Sequence, residues 1–161
     1  MKNLLFTLLI VGLSSTLVRA QTDSIKDADM KIQFQPPESW QATKKEDGYV
    51  LGSDKFQGFM KISVQPFATI KELRSAMMHG IAQSGGALLT PVDSLQNLGE
   101  VGVAGLYEGT IDGQQMRCYM MALMPPSKGR AAICISVAPK EVFNQSNIDQ
   151  LKLLMRSVVF Q

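Results

Sequence analysis

Histidine is all but missing from this chain: His79 is the only one in 161 residues. No zinc-type spacing of His and Cys can be built around it. A Ser-His-Asp triad would need His79 as its base, and no serine stands in a G-x-S-x-G setting. Cysteine is scarce as well, with only Cys118 and Cys134. Because no cysteine precedes Cys118, a lipid-modified cysteine near the N-terminus is excluded. The glycine-rich stretch QSGGA, residues 83–87, lacks the lysine and the spacing of a phosphate-binding loop; it reads as a helix stop. There is no run of basic residues, hence no electrostatic footprint for nucleic acid or anionic membrane. No cofactor and no metal is implied.

What is present begins with the N-terminus, MKNLLFTLLIVGLSSTLVRA. Lys2 makes a positive start, Leu4 to Leu13 form an apolar run too short for an ordinary membrane span, and Val18 and Ala20 occupy the small-residue positions of a cleavage site. Residues 1–20 are expected to be a signal peptide cut between Ala20 and Gln21. The protein is then exported, to a periplasm or the medium, with no further apolar run long enough to cross a bilayer. Loss of Lys2 and Arg19 brings the 16 basic residues level with the 14 acidic ones, so the exported chain has no net formal charge. Its length suits one domain that buries roughly two-thirds of its unfolded surface, without help from disulfides.

Residues 21–28 are polar and are expected to be a flexible N-terminus; 29–161 read as a single α+β domain. DMKIQFQ, residues 29–35, alternates with Met30, Ile32 and Phe34 on one face, as a strand does. The prolines of PPESW end it. WQATKK and YVLGS are strands around a turn at Asp47-Gly48, and FMKISVQP, residues 59–66, is the next. Thr69 and Glu72 form a capping box opening a helix whose stripe is Ile70, Leu73, Met77 and Ile81 and which stops at Gly85-Gly86. His79 falls on the polar side of that helix. An extended segment follows, then three strands around turns at Asp112-Gly113 and residues 125–130, a helix from Ser146 to Arg156 with Ile148, Leu151, Leu154 and Met155 inward, and a short extended tail. Tight turns between successive strands make the sheet antiparallel, with two main helices packed on it.

Residues 116–137 hold both cysteines. A two-residue turn at Asp112-Gly113 sets Glu108 opposite Arg117 as a cross-strand ion pair, and Leu106 opposite Tyr119. The next turn is longer. Pairing Leu123 with Gly129 sets Cys118 across from Cys134, and a slip of two residues sets Cys134 beside Met120; either way the cysteines share a face. Three readings stay open: core filling by Met and Cys, a Cys118–Cys134 disulfide permitted by export, and a soft Cu(I) site using Met116, Cys118 and Met120. Asn144-Gln145-Ser146 matches a glycosylation sequon and equally a helix cap.

MKIQFQPPESW resembles the opening strand and P-x-x-W loop of the PsbP-like (Mog/PsbP) superfamily, which includes secreted bacterial PsbP-like domains and DcrB-like lipoproteins. The helix after FMKISVQPF, the hairpin GLYEGTIDGQQMRCYMMAL and the terminal helix ending in RSVVF agree, so the resemblance spans residues 29–161. It implies an antiparallel sheet flanked by helices, and a non-catalytic accessory or protein-binding role, with an envelope or extracellular protein as partner. The chain departs from the DcrB-like group in having no lipobox cysteine, and the resemblance brings over no site residue. A second class stands beside it: a small-ligand binder or enzyme using a pocket between sheet and helix.

Overall fold

The computed structural model describes residues 23–82, 88–125 and 129–161; the expected signal peptide, its cleavage site at Ala20-Gln21 and the Gly85-Gly86 stop lie outside them. The order is β1 (Ile25–Asp27), β2 (Ile32–Phe34), β3 (Gln41–Lys45), β4 (Gly48–Gly52), β5 (Phe59–Gln65), α1 (Ile70–Met78), β6 (Ile81–Ala82), β7 (Leu88–Pro91), β8 (Gln96–Leu98), β9 (Gly102–Ile111), β10 (Gln114–Leu123), β11 (Ala131–Pro139), α2 (Gln145–Arg156) and β12 (Val159–Phe160). The main sheet runs β3-β4-β5-β11-β10-β9-β7-β6, with β8 also on β9, and β1-β2-β12 form a small second sheet. All pairings are antiparallel. This is the expected α+β class.

The two faces of the main sheet carry separate cores. On one, Leu51, Met60, Ile62, Tyr119, Met121 and Cys134 meet α2 and the small sheet through Leu151, Leu154, Ile32 and Phe34. On the other, Val103, Tyr107, Cys118 and Met120 meet Leu73 and Met77 of α1. Period-two alternation in the strands produces this division, since neighbouring residues point to opposite faces.

Several boundaries differ from expectation. Ile25–Asp27, placed by sequence in a flexible segment, is strand β1, and the expected strand at 29–35 shrinks to Ile32–Phe34. The intervening turn has Lys31 at φ 49°, and Asp27 Oδ1 accepts from the Met30 amide at 2.9 Å. The β3–β4 turn sits on Glu46-Asp47, one residue earlier than Asp47-Gly48, because Gly48 pairs with Lys45. Gly48 lies at φ 140°, and a Cβ there would strike the Ile62 carbonyl, so only glycine fits. Helix α1 ends at Met78, not at Gly85-Gly86: Gly80 turns at φ 90°, and Ile81, expected on the helix stripe, pairs instead with Leu89.

The largest correction concerns β11. The β9–β10 turn has Asp112 and Gly113 at φ 49° and 81°, the type I′ signature, and the register puts Leu106 opposite Tyr119 and Glu108 opposite Arg117. The β10–β11 loop is wider. Leu123 pairs with Ala132 rather than Gly129, because Met124 leaves the ladder to bond the Val101 carbonyl at 2.8 Å. Arg130 reaches the carbonyls of Met30 and Gln161 at 3.2 and 2.8 Å, tying the loop to the small sheet. The shift is an odd number of residues, so every β11 side chain changes face. Cys118 lies opposite Val137 and Cys134 opposite Met121. The two thiols, both buried and free, point into different cores. The expected shared face is wrong, and with it the geometry for a Cys118–Cys134 bond.

Candidate functional site

Helix α1 covers only part of its sheet face. Ile70, Leu73 and Met77 supply its apolar stripe, Thr69 Oγ1 accepts from the Glu72 amide at 3.1 Å, and Glu72 returns a bond from the Ala68 amide at 2.9 Å. At its far end the buried Tyr107 hydroxyl donates to the Met77 carbonyl at 3.0 Å. That bond moors the last turn over β9, and β6 then joins β7 at the sheet edge. Burial pushes the Tyr107 phenol well up from its usual range, so it stays a donor.

Between α1 and strands β5 and β11 a groove of about 290 Å³ remains. Its position follows from the alternation in FMKISVQ: Met60, Ile62 and Val64 face the α2 core, so Lys61, Ser63 and Gln65 face α1. The ladder sets Lys61 beside Ile135 and Ser63 beside Ile133. Leu73, Met77, Met120, Ile133 and Ile135 make the apolar floor and walls. Asp47, on the β3–β4 turn, reaches over to pair with the Lys61 ammonium at the mouth. That hydrogen bond holds the Asp47 carboxyl below its ordinary range. Ser63 is deeper, only 8% exposed, and its hydroxyl has no hydrogen-bond partner among the described residues. The arrangement offers an apolar cavity, one inward hydroxyl and a neutralised ion pair at the rim. Those are the elements of a binding site.

The other candidates lie elsewhere. Arg117 donates from Nε to Glu108 Oε1 at 2.7 Å, and Lys140 Nζ donates to Glu108 Oε2 at 2.6 Å. Together they hold the Glu108 carboxyl below its ordinary range, Lys140 first. The residue types do not suggest Lys140, because its approach depends on the β10–β11 register. His79 is exposed, its Nδ1 2.7 Å from the Ser75 carbonyl. Asn144 caps α2, accepting from the Ser146 amide at 2.8 Å while Asn147 returns the bond at 3.0 Å. Met116 and Met120 share the Cys118 face at strand spacing. Among the described residues no group of three or more His, Cys, Asp or Glu stands together to hold a metal ion.

One cluster escaped the sequence reading. Asp27, buried at 4% exposure, binds the Lys44 ammonium and accepts from the Tyr49 hydroxyl at 2.9 Å. Lys44, followed by the Met30 amide, holds the Asp27 carboxyl down at about 2 against the opposing effect of burial. An acid between Lys26 and Ala28 in a polar stretch carries no signal in sequence; only the β1–β2 pairing, which sets it opposite Ile32, brings it against β3 and β4.

No protein-family profile matches the chain, and no curated protein sequence matches it. Solved structures do. A crystal structure from Bacteroides thetaiotaomicron VPI-5482 superposes with a TM-score of 0.58 at 11% identity over 88% of this chain and 49% of its own, so the chain spans about half of that protein. A mutant of protein Mog1 gives 0.56 at 7% identity, covering 86% of this chain and 95% of Mog1. The Saccharomyces cerevisiae Ran-binding protein Mog1p gives 0.52 at 8% identity, with 86% and 94% covered. The chain is an α+β protein with the fold of Mog1, an antiparallel sheet flanked by two helices.

Proposed function

We propose that this chain is an exported, non-catalytic binding domain whose partner is an envelope or extracellular protein. The partner docks on the sheet face that α1 leaves open. The observation that carries this reading is the groove itself. Ile133 and Ile135 belong to a central strand, yet they are only partly buried beside Lys61 and Ser63. An uncovered apolar strip rimmed by polar groups is a common feature of interaction surfaces. The fold lends support, because one protein that shares nearly its whole length with this chain, Mog1p, is a Ran-binding protein. Export rests on the signal-peptide pattern of residues 1–20, and its consequence is a partner outside the cytoplasm. The second reading, a small-ligand binder or enzyme, draws on the groove's volume, about 290 Å³, near the lower bound of such sites.

Site-specific photo-crosslinking in the producing cells separates the two. A photoreactive residue at position 135 should yield one discrete protein adduct that the same residue at exposed Leu153 on α2 does not. A position-135 variant that forms no protein adduct, from cells whose protein carries a stoichiometric small molecule by native mass spectrometry, would replace the first reading with the second.

A further inference from the structure

The groove carries more than a general docking face. We propose that it is an anchor pocket for one uncharged, apolar side chain of an extended partner segment, whose backbone carbonyl accepts from the Ser63 hydroxyl. This rests on the protein-binding reading and names what the partner must present there.

Three observations converge. The first is Ser63. Its side chain is mostly buried, lines the groove beside Ile133 and has no hydrogen-bond partner among the described residues, yet it is not one of the sealed polar atoms of the fold. Its hydroxyl therefore opens onto the groove as a free hydrogen-bonding group. A ligand carbonyl can accept from it without displacing any protein partner. The second is charge. Among the described residues the only ionic groups lining the groove are Lys61 and Asp47, and they pair with each other at its rim. That pairing leaves no uncompensated charge for an ion, and a charged group would also have to desolvate on the apolar floor, whereas a neutral group meets no such cost. The third is shape. Leu73 and Met77 from the helix stand over a sheet floor of Met120 from β10 and Ile133 and Ile135 from the adjacent β11. Methionines in such a lining adapt to side chains of different outline. The volume, about 290 Å³, admits a leucine- or phenylalanine-sized group with the backbone at the mouth. There Gln65 adds a second neutral hydrogen-bonding group.

The other polar clusters offer no such opening. Glu108, Arg117 and Lys140 satisfy one another on the surface, Asp27 is saturated by Lys44, Tyr49 and Met30, and the polar hollow along Ser39, Gln41 and Thr43 has no apolar floor.

The experiment is a titration of isotope-labelled protein, as recovered from the producing cells, followed by amide chemical shifts. The probes are N-acetyl-L-phenylalanine methylamide, N-acetyl-L-leucine methylamide and, as the charged control, N-acetyl-L-aspartate methylamide. The two apolar amides should shift residues around Ser63, Met77, Ile133 and Ile135 saturably, and the aspartate probe at least tenfold more weakly. Ser63→Ala should weaken the phenylalanine probe by about fivefold or more while keeping the native spectrum. Ile135→Glu should abolish it, and if that variant fails to fold, the Ser63→Ala comparison decides alone. Equal binding by Ser63→Ala, equal binding of the aspartate probe, or no saturable shift in the groove overturns the proposal. A failed titration with the position-135 protein adduct intact refutes the anchor pocket but not the protein-binding reading. Probe binding without any protein adduct refutes that reading, and the partner-anchor assignment falls with it.

Discussion

Asp27 shows how much a single side chain can depend on partners that local sequence does not announce. Its carboxyl, at about 2 in the folded protein, sits below the ordinary value of 3.8. The folded state therefore binds this proton less readily than the unfolded chain does. Its contribution is fully present above the unfolded value and is lost as pH falls through the interval toward about 2. Urea unfolding from pH 7 to pH 2 should show a loss of stability concentrated below pH 4. Asp27→Asn should remove that segment of the slope. The same substitution at pH 7 should cost about 1–3 kcal/mol, since it leaves the Lys44 charge and a buried polar group without their partner. A variant with the wild-type acid profile would show that other carboxylates set the limit. The cysteines belong to the same scale. Burial pushes both thiols upward, disfavouring the reactive thiolate. A chromogenic thiol reagent should find none accessible in native protein and two in denaturant without reductant. A monomer two hydrogens light with no titratable thiol would contradict the separate placement of Cys118 and Cys134.

At the scale of elements, local signals worked where the contacts are local. The capping box at Thr69 and Glu72, the Asp112-Gly113 turn, and the stripe of Leu151, Leu154 and Met155 on α2 are each defined by residues a few positions apart. The turn and the α2 stripe stand as the pattern suggests; of the capping box only the Thr69 half forms, because the Glu72 carboxylate accepts from the Ala68 amide and not from Thr69. Thr69→Ala should lower stability by about 0.5–2 kcal/mol, measured by thermal or denaturant unfolding, and Thr69→Ser should restore most of it. A loss below about 0.3 kcal/mol would mean that packing of Leu73 and Met77, not the cap, holds α1. Elements bounded by distant contacts were read poorly. β1 exists because β2 pairs with it and Asp27 finds Lys44. α1 stops at Met78 because β6 must turn to reach β7. A helical stripe cannot report that its last member, Ile81, belongs to a sheet.

On the scale of the molecule, the small sheet joins the two ends of the described chain: β2 takes β1 on one edge and β12 on the other, and the Gln161 amide donates to the Lys31 carbonyl at 2.9 Å. The α2 core is thus sealed by segments far apart in sequence. Intact mass of the protein recovered from the producing cells and their medium tests the proposed export: a chain beginning at Gln21 is expected. Recovery of protein retaining residues 1–20 would remove the basis for an extracytoplasmic partner.

The sequence by itself determined the α+β class, the antiparallel connections, the β9–β10 register, both helix starts and the side of α1 on which His79 lies. Those follow from periodicity and turn chemistry, which act over a few residues. Tertiary structure alone decided the face of β11, the separation of Cys118 from Cys134, the recruitment of Lys140 to Glu108 and the groove. The polar alternation of Lys61, Ser63 and Gln65 was visible in FMKISVQ, but not what it faces. A long loop can close in more than one register. The choice between them is made by bonds such as Met124 to Val101 and Arg130 to Met30 and Gln161, between residues that no local pattern connects. One odd step in that loop exchanges the two faces of a strand, and with them which side chains line the site.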